Sequence, residues 1–179
     1  HFPRASLPSN SPAAAGPPSN SSLTASHLSF APAASAILPS SAADVNQPGR
    51  EVPVDLPRID FFHWLLVDLP PSVSGFDEGQ WSRGFTPRGK PGPDTGGPAR
   101  QGLNDYTAWF AGDAERAGRY FGYDGPFPPF NDSLVHHYLF ALYALDVTQL
   151  AVQGDFTGPQ VREALAGHVL GAATLSGTY

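Results

Sequence analysis

Two apolar runs limit what this chain can fold into. Residues 61–69 read Phe61-Phe62-His63-Trp64-Leu65-Leu66-Val67-Asp68-Leu69, and residues 135–145 read Val135-His136-His137-Tyr138-Leu139-Phe140-Ala141-Leu142-Tyr143-Ala144-Leu145. Alternate side chains of a strand share a face, so the first run puts Phe61, His63, Leu65 and Val67 on one side and Phe62, Trp64 and Leu66 on the other. Both faces are apolar, as expected of a central strand covered on two sides, and Pro70-Pro71 ends it. The second run puts His136, Tyr138, Phe140 and Leu142 on one face and His137, Leu139, Ala141 and Tyr143 on the other. The two adjacent histidines therefore cannot share a pocket.

Between the runs, residues 72–102 are rich in glycine, proline and scattered charge and read as a long loop with at most one short strand. Residues 113–120 predict two helical turns capped by Asp113. The segment Tyr123-Asp124-Gly125-Pro126-Phe127-Pro128-Pro129 follows. Glycine permits close backbone approach and proline fixes φ, so this segment reads as a stiff wall beside a pocket. Further on, Thr157-Gly158-Pro159-Gln160 resembles a capping box, and Val161, Leu165 and Val169 recur behind it at helical spacing. That predicts a helix stopped by Gly171 and a closing strand over 173–179. The fold class is mainly β, an antiparallel domain with one or two peripheral helices.

Charge is distributed unevenly. All 16 acidic residues, and every basic residue except Arg4, lie from Asp44 onward, while residues 5–43 are dominated by Ala, Ser and Pro. Such a segment buries too little apolar surface to offset its ordering entropy, so residues 1–43 are expected to be disordered and residues 44–179 to form the domain. The formal net charge of −6 disfavours nucleic acid and anionic membrane surfaces as partners. Zero cysteines exclude disulfides and thiol catalysis. No run approaches the roughly 18 apolar residues of a membrane span, and no basic start with an apolar stretch marks a signal peptide. A soluble, cytoplasmic protein is the expectation. The chain starts at His1 and contains no methionine, which reads as a fragment or processed form.

Several pieces together resemble the phosphatidylethanolamine-binding protein family, and within it the bacterial YbhB/YbcL or Raf-kinase-inhibitor-like branch. They are Phe62-His63-Trp64-Leu65-Leu66-Val67-Asp68-Leu69-Pro70, Gly102-Leu103-Asn104-Asp105, Gly122-Tyr123-Asp124-Gly125-Pro126-Phe127-Pro128-Pro129, residues 136–145, and the helix and strand of 158–179. The resemblance implies antiparallel Greek-key sheets and a pocket at one sheet end for phosphate-like or carboxylate-like groups. It implies His63 and His136 as pocket histidines, Tyr138 as their tyrosine, and Tyr123, Gly125, Pro128 and Pro129 as the wall. The likeness fades upstream of Pro39. Where the family carries Asp-Pro-Asp-x-Pro, this chain reads Ile37-Leu38-Pro39-Ser40-Ser41-Ala42-Ala43-Asp44-Val45-Asn46. A reading-frame disruption or gene-model error accounts for that loss and predicts a domain lacking its first strands.

The function this supports is non-enzymatic binding of a small anionic ligand or phospholipid head group, with a kinase-inhibitor-like role attached to an unknown protein partner. Two rivals stand beside it. A metal-dependent or acid–base hydrolase would use His63 and His136, but zinc sites usually show closely spaced ligand pairs, and here His136 and His137 diverge. No metal or cofactor is expected. A non-functional truncated homologue is the other rival. The aromatic residues from Trp109 to Phe130 could face a ligand, although such residues beside proline are more often core.

Overall fold

The structure is a computed structural model that describes residues 28–30 and 33–37 by their backbone and residues 43–84 and 86–179 in full. The described strands are β1 (Leu28–Phe30), β2 (Ala33–Ile37), β3 (Arg58–Phe62), β4 (Leu66–Leu69), β5 (Arg100–Gln101), β6 (His137–Leu145) and β7 (Val169–Thr178). Two helices accompany them, α1 (Tyr106–Trp109) and α2 (Gly158–Leu165).

All seven strands join one antiparallel sheet built around β6. One edge of β6 carries β7 along its whole length, from His137 opposite Thr178 to Leu145 opposite Val169. The other edge is shared end to end: β2 pairs near Tyr138 and Leu139, and β1 pairs from Leu142 to Ala144. β3 extends the sheet beyond β2, and β4 followed by β5 extends it beyond β1. The mainly β class is thus the observed one, with crossed connections between strands distant in sequence.

Several expectations change. Residues 1–43 are not wholly without structure, because β1 and β2 come from them and so precede the expected domain start at residue 44. Ladder bonds use backbone groups that every residue but proline offers in full, so a strand needs no charged or alternating signature when its neighbours supply the apolar faces. The rest of that expectation falls on residues outside the description.

The single strand expected over 61–69 is two strands, β3 and β4. The backbone of 63–65 bonds elsewhere: Asp124 N–H donates to the His63 carbonyl at 3.2 Å and Gly102 N–H to that of Leu65 at 3.1 Å. Alternation breaks there too. Phe62 joins Leu65, Val67, Leu145, Phe156, Val161 and Leu165 in one core, whereas Trp64, Leu66 and Leu69 form another with Ala99. The stretch is nevertheless buried throughout, and Leu65, Leu66 and Val67 are fully enclosed. Each such side chain contributes about 1.5–3 kcal/mol relative to exposure.

The helix expected over 113–120 is a single turn. Asp113 does cap it, accepting from the N–H groups of Glu115 and Arg116 at 2.9 Å. Gly118 then passes so close to Arg88 that a Cβ would lie 2.1 Å from its carbonyl oxygen, so only glycine fits where the turn ends. The capping box at Thr157 is present, with Thr157 N–H donating to Gln160 Oε1 at 2.8 Å, and Val161 and Leu165 bury their side chains. The helix ends sooner than its periodicity suggests. Gly167 turns the chain at φ +82, so Val169 opens β7 instead of lengthening α2.

Candidate functional site: a histidine–tyrosine cluster beside an aromatic cavity

The break between β3 and β4 places His63. Just before it, Phe62 N–H donates to Asp105 Oδ2 at 2.7 Å and Asp105 N–H returns a bond to the Phe62 carbonyl at 2.9 Å. Just after it, the Asp124 N–H holds the His63 carbonyl. The imidazole Nδ1 meets the Asp124 carbonyl oxygen. A carbonyl only accepts, so Nδ1 carries the proton and Nε2 is the remaining ring nitrogen. Burial pushes the His63 pKa below its ordinary 6.5 against the opposing pull of the Asp124 carbonyl, and His136 lowers it further.

Rings gather around this imidazole. Tyr138 lies 5.3 Å away between ring centres, Tyr106 5.6 Å, Tyr123 6.3 Å and Phe61 4.9 Å. Burial raises the pKa of all three tyrosines, so their hydroxyls stay protonated well into the alkaline range. Gly125 completes the packing with φ +147; a Cβ there would lie 2.8 Å from His63 Nδ1, so only glycine fits both the turn and the approach.

His136 is also buried, but its ring answers to a different group. Its Nε2 sits 2.9 Å from Asp132 Oδ2. Asp132 is fully enclosed and also takes both arms of the Arg58 guanidinium, Nη2 to Oδ1 at 3.1 Å. The His136 backbone exchanges two bonds with Tyr179, at 3.3 and 3.1 Å. Of the residues expected to form a site, Tyr123, Gly125 and Tyr138 each lie against His63. His136 stands two positions from Tyr138 but gives its ring to Asp132, and Pro128 and Pro129 are half-buried in the loop that follows Gly125.

Sequence reasoning missed Tyr106, Arg58, Asp124 and Asp132. Tyr106 could have been found, since it directly follows the Gly102–Asp105 motif. Asp124 is the hub of the wall: its carboxylate takes Lys90 Nζ on Oδ1 and Asn104 Nδ2 on Oδ2 at 2.8 Å, while its backbone holds His63. Among the described residues no group of three or more His, Cys, Asp or Glu is placed to hold a metal ion.

Beside the cluster opens a cavity of about 400 Å³. Tyr106, Tyr123, Asp124 and Gly125 belong to both, and the cavity's other walls include Phe110, Arg116, Tyr120 and Phe127. The aromatic residues between Trp109 and Phe130 thus include several that line a cavity.

An antiparallel sheet that encloses a histidine among tyrosines, next to a hollow of ligand size, defines the class: a mainly β protein with a pocket at a strand break. The chain belongs to the phosphatidylethanolamine-binding protein family, whose sequence profile matches residues 14–179. That match begins upstream of Pro39, so family likeness extends further toward the start than the motifs alone suggest. Membership supports a role of the binding type.

A UPF0098 protein of Methanothermobacter thermautotrophicus is 36% identical over 125 residues, 70% of this chain and 66% of that one. One from Pyrococcus horikoshii is 33% identical over 127 residues, 70% of this chain and 52% of that one. The chain thus spans between about half and two thirds of these relatives. Among solved structures, a putative phosphatidylethanolamine-binding protein homologue from Chlamydia trachomatis is similar at 30% identity and a TM-score of 0.49, covering 87% of this chain and 72% of that one. Escherichia coli YbcL is similar at 20% identity and a TM-score of 0.49, covering 87% and 71%.

Proposed function

We propose that the chain binds a small anionic group, phosphate-like or a phospholipid head group, at the His63, Tyr106, Tyr123 and Tyr138 cluster, and performs no chemistry on it. One observation carries this reading: His63 has Nδ1–H committed to the Asp124 carbonyl, which leaves Nε2 for a ligand among three tyrosines. Neutral Nε2 only accepts; once protonated it donates. An arriving anion therefore recruits a proton to Nε2, and its own charge offsets the desolvation that otherwise keeps the buried ring neutral. Each charge-assisted bond formed in this way contributes ~1.5–3 kcal/mol before desolvation is counted. A lone anion then binds with modest affinity.

Calorimetric titration with sulfate, whose own charge is constant over the range, tests the proton coupling, and phosphorylethanolamine tests the head-group arm. Affinity should rise as pH falls from 8 to 6 and keep rising below the ordinary imidazole value, because the free ring titrates below 6.5. The binding enthalpy should vary with the buffer's ionisation enthalpy, reporting proton uptake. His63→Gln should weaken binding about tenfold and flatten the pH profile. Equal affinities at pH 8 and 6 would overturn the reading.

A further inference from the structure

The cavity beside the cluster differs from it in chemistry. Among the described residues its walls carry the rings of Tyr106, Phe110, Tyr120, Tyr123 and Phe127, with one basic side chain, Arg116, and one acidic one, Asp124. The acid is spent, one oxygen on Lys90 and the other on Asn104. The base is only half spent. Arg116 gives Nε and Nη2 to Asp113 Oδ2, each at 2.7 Å, and among the described residues Nη1 meets no protein acceptor. Its guanidinium lies 5.0 Å from the centre of the Phe110 ring.

The rings are also arranged as a stacking surface. Tyr106 and Phe110 lie nearly parallel, 5.6 Å apart at 15°, and Tyr120 tilts against both. The Tyr120 hydroxyl is tied to the Arg116 main-chain carbonyl at 2.6 Å, which holds the ring against the turn that carries the base. Aromatic walls favour a flat ring over an alkyl group of equal area, and an unspent guanidinium edge selects negative charge. A volume of about 400 Å³ suits a ligand of one or two rings.

We propose that this cavity is a second ligand site, adjoining the anion cluster through the shared Tyr106, and that it takes an aromatic carboxylate, its ring among Tyr106, Phe110 and Tyr120 and its carboxylate on the outer edge of Arg116. The ligand needs no proton from His63, so different probes test the two sites.

The test is a titration of the full chain with benzoate, cyclohexanecarboxylate and benzyl alcohol, followed by ligand-observed NMR. Benzoate should bind at least about threefold tighter than cyclohexanecarboxylate and tenfold tighter than the uncharged alcohol. Arg116→Gln should weaken benzoate about tenfold. Asp113→Asn keeps an acceptor for the two backbone N–H groups but removes the competing charge, and should tighten benzoate roughly two- to fivefold. This second variant is a gain that misfolding cannot mimic. The proposal is overturned if benzyl alcohol or cyclohexanecarboxylate binds as well as benzoate, or if Asp113→Asn leaves its affinity unchanged. Sulfate titrated into the same samples reports the His63 cluster separately, so loss of one site is distinguishable from loss of the other.

Discussion

Asp132 holds the Arg58 guanidinium and the His136 ring, with its own carboxylate closed off from the surface. Desolvation pushes its carboxyl up, but the hydrogen bonds from Arg58 and His136 outweigh that and bring it down to about 2. Asp132→Ala leaves a buried guanidinium unpaired and should cost about 3–5 kcal/mol in a denaturant melt. The pH profile should have two limbs. His63 has a lowered folded value, so the unfolded chain binds more protons and stability falls as pH drops below 6.5. Asp132 is likewise lowered, and its stabilisation is held above the usual 3.8 and lost as pH falls toward 2. Unfolding midpoints measured from pH 8 to 3 should show both, with His63→Gln removing the first. At this scale the sequence revealed the histidines and Gly125, which sit beside recognisable strands and turns. It concealed the partners, because Arg58 and Asp132 meet across 74 positions and neither has a local pattern that announces the other.

Elements were legible where local chemistry decides them and illegible where contacts do. The capping box at Thr157 satisfies its own backbone groups, so α2 is written in four residues. The interruption between β3 and β4 is not, since hydrogen bonds from Gly102 and Asp124 impose it from distant loops. Gly158 joins the two cases. It opens α2, yet a Cβ there would lie 2.1 Å from the Phe62 ring. Helix propensity alone would make Gly158→Ala stabilising by up to about 1 kcal/mol. The clash should reverse the sign, giving a net loss of about 1–3 kcal/mol as α2 is levered away from β3. A urea midpoint higher than that of the unmodified protein would refute the account.

Across the whole molecule, the sheet is asymmetric in how its margins are protected. β7 pairs with β6 on one side and, among the described residues, with nothing on the other. Every residue of β7 is exposed, Leu175 to 70%, and none from Val169 to Thr178 is charged. Natural edges are usually blunted by lysine, proline or a bulge facing outward. Light scattering should therefore show self-association growing with concentration, and Leu175→Lys should suppress it while leaving the thermal midpoint within about 2 °C. Unchanged association in that variant would point to another surface. The sequence signalled the apolar character of this domain but hid the contribution of Leu28–Phe30 and Ala33–Ile37, whose composition lacks any strand pattern.

The two main-chain bonds between His136 and Tyr179 have their own consequence. Tyr179, one residue past β7, serves as the guy-rope for a buried histidine. Peeling β7 away from β6 would slacken His136 before it disturbed any of the buried cores.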